Sequence, residues 1–218
     1  MSSTLLAGLT VLIIGDSHLA TPNYLINSLH NELTNQGAAV HTFGVCGSIP
    51  GDWIAASPGG KCGRADRVGK DSAKMLGSSA MTIPIKTLIA KEKPNLVVIV
   101  MGDTMAGYKT GFAKAWAWQQ TTSLTKEIAG TKTACAWVGP AWGGLDGKND
   151  FKKSEATTRF VSEFLSKNVA PCSYIDSTAM AKPGEWATLD GQHLTAQGYK
   201  SWGEGIAKAV DGLPIVKK

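Results

Sequence analysis

Apolar residues gather in five short runs, LTVLIIG from Leu9, AAVHTFGV from Ala38, NLVVIVMG from Asn95, TACAWVGPA from Thr133 and CSYIDST from Cys172. These runs are rich in β-branched residues and lack clean polar alternation, as strands buried on both faces do. Between them the spacing turns helical. Leu25, Leu29 and Leu33 repeat every four residues behind Thr21-Pro22, a capping residue followed by proline at the first helical position, and Gly37 closes the segment. The same spacing predicts helices over Ile85 to Lys91, Phe112 to Ile128, Lys152 to Lys167 and Thr195 to Val210. Strand and helix alternate, which predicts an α/β chain with a parallel five-stranded sheet covered on both faces. No repeat, linker or low-complexity tract divides it, so residues 1–218 are expected to form a single domain.

In such sheets ligands bind beyond the carboxyl ends of the strands. Those ends read GDSH, GVCGS, MGDT and VGPAWGG, glycines interleaved with small polar groups. Glycine lets backbone approach a ligand closely. Ser17, at the junction after the first strand, would project its hydroxyl into the crevice. A serine needs a base within hydrogen-bond reach, itself oriented by an acid. Of the four histidines, His30 falls in a helical pattern and His41 in a strand, where structural roles are expected, and His18 adjoins Ser17 and should point away from it. His193 remains, in LDGQHLTAQGY, with Asp190 three residues before it. On a tight turn that spacing brings the carboxylate onto one imidazole nitrogen and leaves the other free for Ser17.

Taken together, GDS after the first strand, glycine-led turns after the second and third, and D-x-x-H before the last helix resemble the SGNH hydrolases, also called GDSL esterases. The resemblance runs from Val11 to Val210. It implies a three-layer α/β/α sandwich of flavodoxin-like type, and ester hydrolysis or acyl transfer with neither metal nor cofactor. By position, Ser17 looks like the nucleophile, His193 like the base, Asp190 like its orienting acid and Gly47 like a backbone oxyanion donor alongside the N–H of Ser17. Asp16 matches the acid of the first block, for which capping the next turn is a sufficient role. The third block departs from the family's G-x-N. This chain has Gly102-Asp103-Thr104, in which Thr104 can donate to an oxyanion and a carboxylate at Asp103 would oppose one.

Composition narrows the rest. The formal net charge is +5, with lysines dispersed along the chain, which argues against nucleic acid as partner. No apolar run approaches the roughly 20 residues that span a bilayer, so membrane insertion is not expected. The opening MSSTLLAGLTVLII lacks a basic start and a small-residue cleavage site, and reads as a strand rather than a signal peptide. Four cysteines lack metal-ligand spacing. Cys46 and Cys62 bracket a Gly/Pro/Ser-rich loop, and Cys135 and Cys172 lie in two later strands. Two disulfides and four buried thiols are both compatible with this placement, and the former would imply an extracytoplasmic home. Of seven tryptophans, Trp53, Trp137, Trp142 and Trp186 fall in or beside crevice loops, and Trp53, Trp142 and Trp186 are the candidate platforms for a sugar. Trp116, Trp118 and Trp202 lie in helical patterns and are expected in the core. The resulting expectation is a serine esterase or O-acetyltransferase acting on an acylated carbohydrate or polysaccharide. A lipase or thioesterase of the same fold, and a non-catalytic carbohydrate-binding domain, are the rival readings.

Overall fold

A computed structural model describes residues 5–143 and 149–217. The five apolar runs form β1 (Thr10–Gly15), β2 (Ala39–Val45), β5 (Leu96–Val100), β6 (Ala134–Val138) and β7 (Ser173–Ile175), all parallel in the order β2-β1-β5-β6-β7. That is the flavodoxin-like order, and the architecture is the expected three-layer sandwich. The sheet has seven strands, however, not five. A hairpin of β3 (Arg64–Val68) and β4 (Lys74–Leu76) extends it antiparallel beyond β2. Its residues, RADRV and KML, are charged or exposed except for the buried Ala65 and carry no apolar run, because this edge is held by pairing with β2 rather than by burial on both faces.

Along β1, Val11 and Ile13 pack on one face of the sheet and Leu12 and Ile14 on the other. Val98 and Val100 of β5 share the first face, Val97 and Ile99 the second. Helices α1 (Ser28–Asn35) and α5 (Ala196–Asp211) cover the first face through Leu29, Leu33, Trp202, Ile206 and Val210. Helices α2 (Ile85–Glu92), α3 (Lys114–Ala129) and α4 (Glu155–Asn168) cover the second through Leu88, Leu124, Val161 and Leu165. Each fully buried Leu, Ile or Val contributes about 1.5–3 kcal/mol, so this double-sided core is the main stabilising term.

Helix starts differ from the periodicity by three residues or more in two places. The first helix begins at Ser28, not at Thr21, because Asn23 takes a left-handed backbone (φ 70°) and residues 16–27 form successive turns. The fourth begins at Glu155, capped by Ser154, whose side chain accepts from Thr157 N–H, whereas Lys152 is left-handed (φ 57°). At the last helix Thr195 is the cap, accepting from the N–H of Gly198. Both disulfides are formed. Cys46–Cys62 closes the loop after β2, and Cys135–Cys172 joins β6 to the residue before β7.

Candidate active site

β1 lies between β2 and β5, so the carboxyl end of β1 opens where connections leave to opposite sides. Two glycines allow the turn that follows to sit close. A Cβ on Gly15 would lie 2.3 Å from Val100 O, and one on Gly44 would lie 2.2 Å from the Leu19 carbonyl carbon. The turn is stitched by Leu19 N–H to Asp16 O and Ala20 N–H to Ser17 O. Asp16 Oδ1 accepts the His18 N–H at 3.1 Å, the capping contact expected of it. Its second oxygen is buried without a hydrogen-bond partner among the described residues. Burial, reinforced by the charge of Asp103, pushes the Asp16 carboxyl up to about 6 despite the opposing pull of His18.

Ser17 leaves this turn toward the loop that precedes α5. Its Oγ lies 2.7 Å from His193 Nε2, and His193 Nδ1 lies 2.7 Å from Asp190 Oδ2. Asp190 Oδ1 accepts the backbone N–H groups of His193 (2.8 Å) and Gln192 (3.0 Å), which locks the carboxylate to its own turn. Burial would raise the Asp190 carboxyl, but these donors outweigh it and hold it below the ordinary carboxylate value. A carboxylate on Nδ1 keeps a proton there and leaves Nε2 to accept from a hydroxyl. Burial, with His18 nearby, lowers the His193 imidazole below its usual range, and Asp190 offsets only part of that. Such a group is neutral and able to take a proton near pH 7.

Ser17 and His193 open onto a cavity of about 470 Å³, lined also by Gly47, Thr104, Tyr108 and Phe151 among others. Gly47 turns the chain away from β2 with φ +73°, a region that favours glycine. The Thr104 Oγ1 is buried and has no hydrogen-bond partner among the described residues. Thr104 is among the residues that line the cavity, and a hydroxyl with a donor still to be used can serve a bound oxygen.

Several site neighbours have no signature in the sequence. Tyr24 stacks on the His193 ring (5.9 Å, 25°) and Phe151 meets it edge-on (5.6 Å, 78°). His18 does point away from Ser17, with Nδ1 2.8 Å from the Tyr199 hydroxyl and Nε2 2.8 Å from Asp103 Oδ2. Asp103 also accepts the Tyr108 hydroxyl, and Lys153 Nζ lies 2.8 Å from both its oxygens. Burial alone would raise Asp103, but Lys153 and His18 hold it well below the usual carboxylate range. Lys153 falls inside the helix that the periodicity predicts over Lys152 to Lys167, but it precedes the observed α4, which begins at Glu155. Its backbone is clamped by Asn149, which accepts its N–H at 2.8 Å and donates to its carbonyl at 2.6 Å.

The tryptophans are placed otherwise than expected. Trp53 is fully buried, with its indole N–H on Ser48 Oγ. Trp142 is buried and donates to the carbonyls of Thr178 and Ala181. Trp186 packs half-buried against the core under α5. None of the three lines the cavity, whose aromatic walls are Tyr108 and Phe151. Loop tryptophans here close the core, since a large ring gains more from burial than from standing in water. Trp116 and Trp118, by contrast, are exposed on α3, and only Trp202 is in the core. Trp137 is also buried, donating to Met101 O. His30 is structural as expected, between Thr42 and Gly69 O, and His41 pairs with Glu92. Gly144 of the fourth glycine turn lies outside the described residues. Among the described residues no cluster of His, Cys, Asp or Glu could hold a metal ion, and no helix is long and apolar enough to cross a membrane.

No protein-family model matches the chain. Protein BcsX of Komagataeibacter xylinus is 43% identical over 224 residues, covering 99% of this chain and 81% of that protein. Among solved structures, neighbours include SGNH and GDSL-like hydrolases. The lipase/acylhydrolase of Enterococcus faecalis superimposes with a TM-score of 0.61 at 17% identity, over 94% of this chain and 96% of that one. The acetyl xylan esterase AlAXEase does so with a TM-score of 0.58 at 15% identity, over 93% and 100% of the two chains. The fold is that of the SGNH hydrolases.

Proposed function

Because the chain belongs to the BcsX family and carries the SGNH hydrolase fold, we propose that it is a serine esterase or O-acyltransferase working through an acyl-serine intermediate. The observation that carries this reading is the unbroken line Ser17–His193–Asp190, with both links at 2.7 Å, at a cavity also lined by Thr104, whose hydroxyl has no hydrogen-bond partner among the described residues. His193 takes the Ser17 proton as Oγ attacks the acyl carbonyl, and Asp190 stabilises the imidazolium that forms. The backbone N–H groups of Ser17 and Gly47 and the Thr104 hydroxyl receive the oxyanion. His193 then returns the proton to the leaving alcohol, and the acyl group passes to water or to a sugar hydroxyl.

The substrate in this reading is a small O-acyl group, acetyl, on a carbohydrate. A cavity of about 470 Å³ walled by Tyr108 and Phe151 suits a short acyl chain and one sugar face. An acetyl xylan esterase among the fold neighbours points the same way. Two disulfides favour an oxidising, extracytoplasmic setting. Acetate release from an acetylated oligosaccharide, run beside p-nitrophenyl esters of increasing chain length, tests the assignment. Release of acetate with rates falling beyond short acyl chains is expected. A rate peaking at long chains would instead favour a lipase or thioesterase.

A further inference from the structure

Lys153 is the one lysine among the described residues whose side chain is fully buried. Its ammonium sits on both oxygens of Asp103, a carboxylate that lines the cavity next to Thr104. A carboxylate there opposes any negative charge that builds on a substrate oxygen. Asp103 is nevertheless bound into the fold, accepting from Tyr108 and meeting His18. Stability does not explain the pair, since desolvating two ions costs about as much as their attraction returns.

We propose that Lys153 is a positioning residue that acts through Asp103, cancelling the carboxylate's charge beside Thr104 so that an oxyanion can form in the cavity. The inference rests on the esterase reading above. It also makes a claim that does not need turnover, because the same uncancelled charge would be felt by His193. The titratable or charged groups around that imidazole are Asp190 before α5, His18 and Tyr24 after β1, and Asp103 after β5; the other close neighbours are Ser17 and the Phe151 ring. Of the carboxylates, only Asp103 is paired with a lysine.

The test is an NMR titration of the His193 imidazole, with steady-state kinetics on p-nitrophenyl acetate, in Lys153→Met, Asp103→Asn and the double variant. In Lys153→Met the imidazole should titrate at higher pH by about half a unit or more, and kcat should fall ~100-fold with KM within about threefold. The double variant, neutral at both positions, should restore the titration and recover at least about tenfold in kcat. An unchanged titration midpoint, a kcat within threefold of wild type, or a double variant no better than Lys153→Met would overturn the proposal. Should Lys153→Met fail to fold, the comparison of Asp103→Asn with the double variant decides. The lone ammonium should then hold His193 at lower pH than in the double variant, and equal midpoints would overturn the role of Lys153. Absence of ester turnover in the wild-type protein would defeat the esterase reading, while the titration would still decide this one.

Discussion

The imidazoles of His18 and His193 lie 5.3 Å apart, and each is held by a different carboxylate, His18 by Asp103 and His193 by Asp190. Burial lowers the His193 pKa, His18 lowers it further, and the charges of Asp190 and Asp103 only partly offset them. A general base works when unprotonated, so a lowered pKa carries activity to lower pH. The acid limb of kcat/KM should therefore have its midpoint below 6.5, the ordinary histidine value of about 6.5 being the reference. A midpoint at or above it would show that Asp190 governs the imidazole more strongly than burial does.

Thr104→Val keeps the shape of the side chain and removes the hydroxyl. If that hydroxyl meets the oxyanion, kcat should fall ~10²-fold with KM nearly unchanged, since the charge exists only in the transition state. Wild-type kinetics in this variant would leave the backbone N–H groups as sole donors. Replacing Thr104 by Asn, the residue the SGNH pattern carries there, should preserve hydrolysis or raise it.

Much of this was legible in the chain itself. The five parallel strands announce themselves because burial on both faces demands uninterrupted apolar runs, as in Leu96–Val100. Ser17, Asp190 and His193 could be singled out because each sits at a glycine-marked turn. The β3–β4 hairpin could not, since Arg64 and Asp66 pair with each other and the strand is held by backbone bonds to β2. Nor could the Asp103–Lys153 pair, whose members stand 50 residues apart and meet only in the folded chain. The tryptophans misled for a plain reason. Composition tells how many rings there are, whereas whether a loop turns its ring inward depends on contacts such as Trp53 with Ser48.

Asp16 carries a stability prediction with a definite sign. Burial holds its folded-state pKa at about 6, above the ordinary aspartate value of 3.8, so the folded protein holds this proton more tightly than the unfolded chain does. The associated stability is complete below about pH 4 and is lost as pH rises through 6. The loss by neutral pH amounts to roughly 3 kcal/mol at most. Asp16→Asn should accordingly raise Tm at pH 8 and change it little at pH 4. Equal shifts at both values would contradict a protonated, buried Asp16.

Cys46 and Cys62 both line the cavity, so their bond ties the Gly47 turn to the loop beyond it. Closing a loop of this length contributes ~3 kcal/mol in the chain-entropy model. The Cys46→Ser/Cys62→Ser pair should lower Tm by several degrees and reduce kcat/KM. Loss of stability with unaltered kinetics would separate the bond from the site.

Ser17 is where the proposed chemistry becomes covalent, and mass spectrometry of protein quenched during turnover of p-nitrophenyl acetate reads it directly. The peptide carrying Ser17 should bear an acetyl group that accumulates in His193→Ala no faster than its slowed turnover allows, and Ser17→Ala should carry none while losing turnover without losing its fold. An unmodified Ser17 peptide together with more than a tenth of wild-type rate in Ser17→Ala would contradict the acyl-serine mechanism.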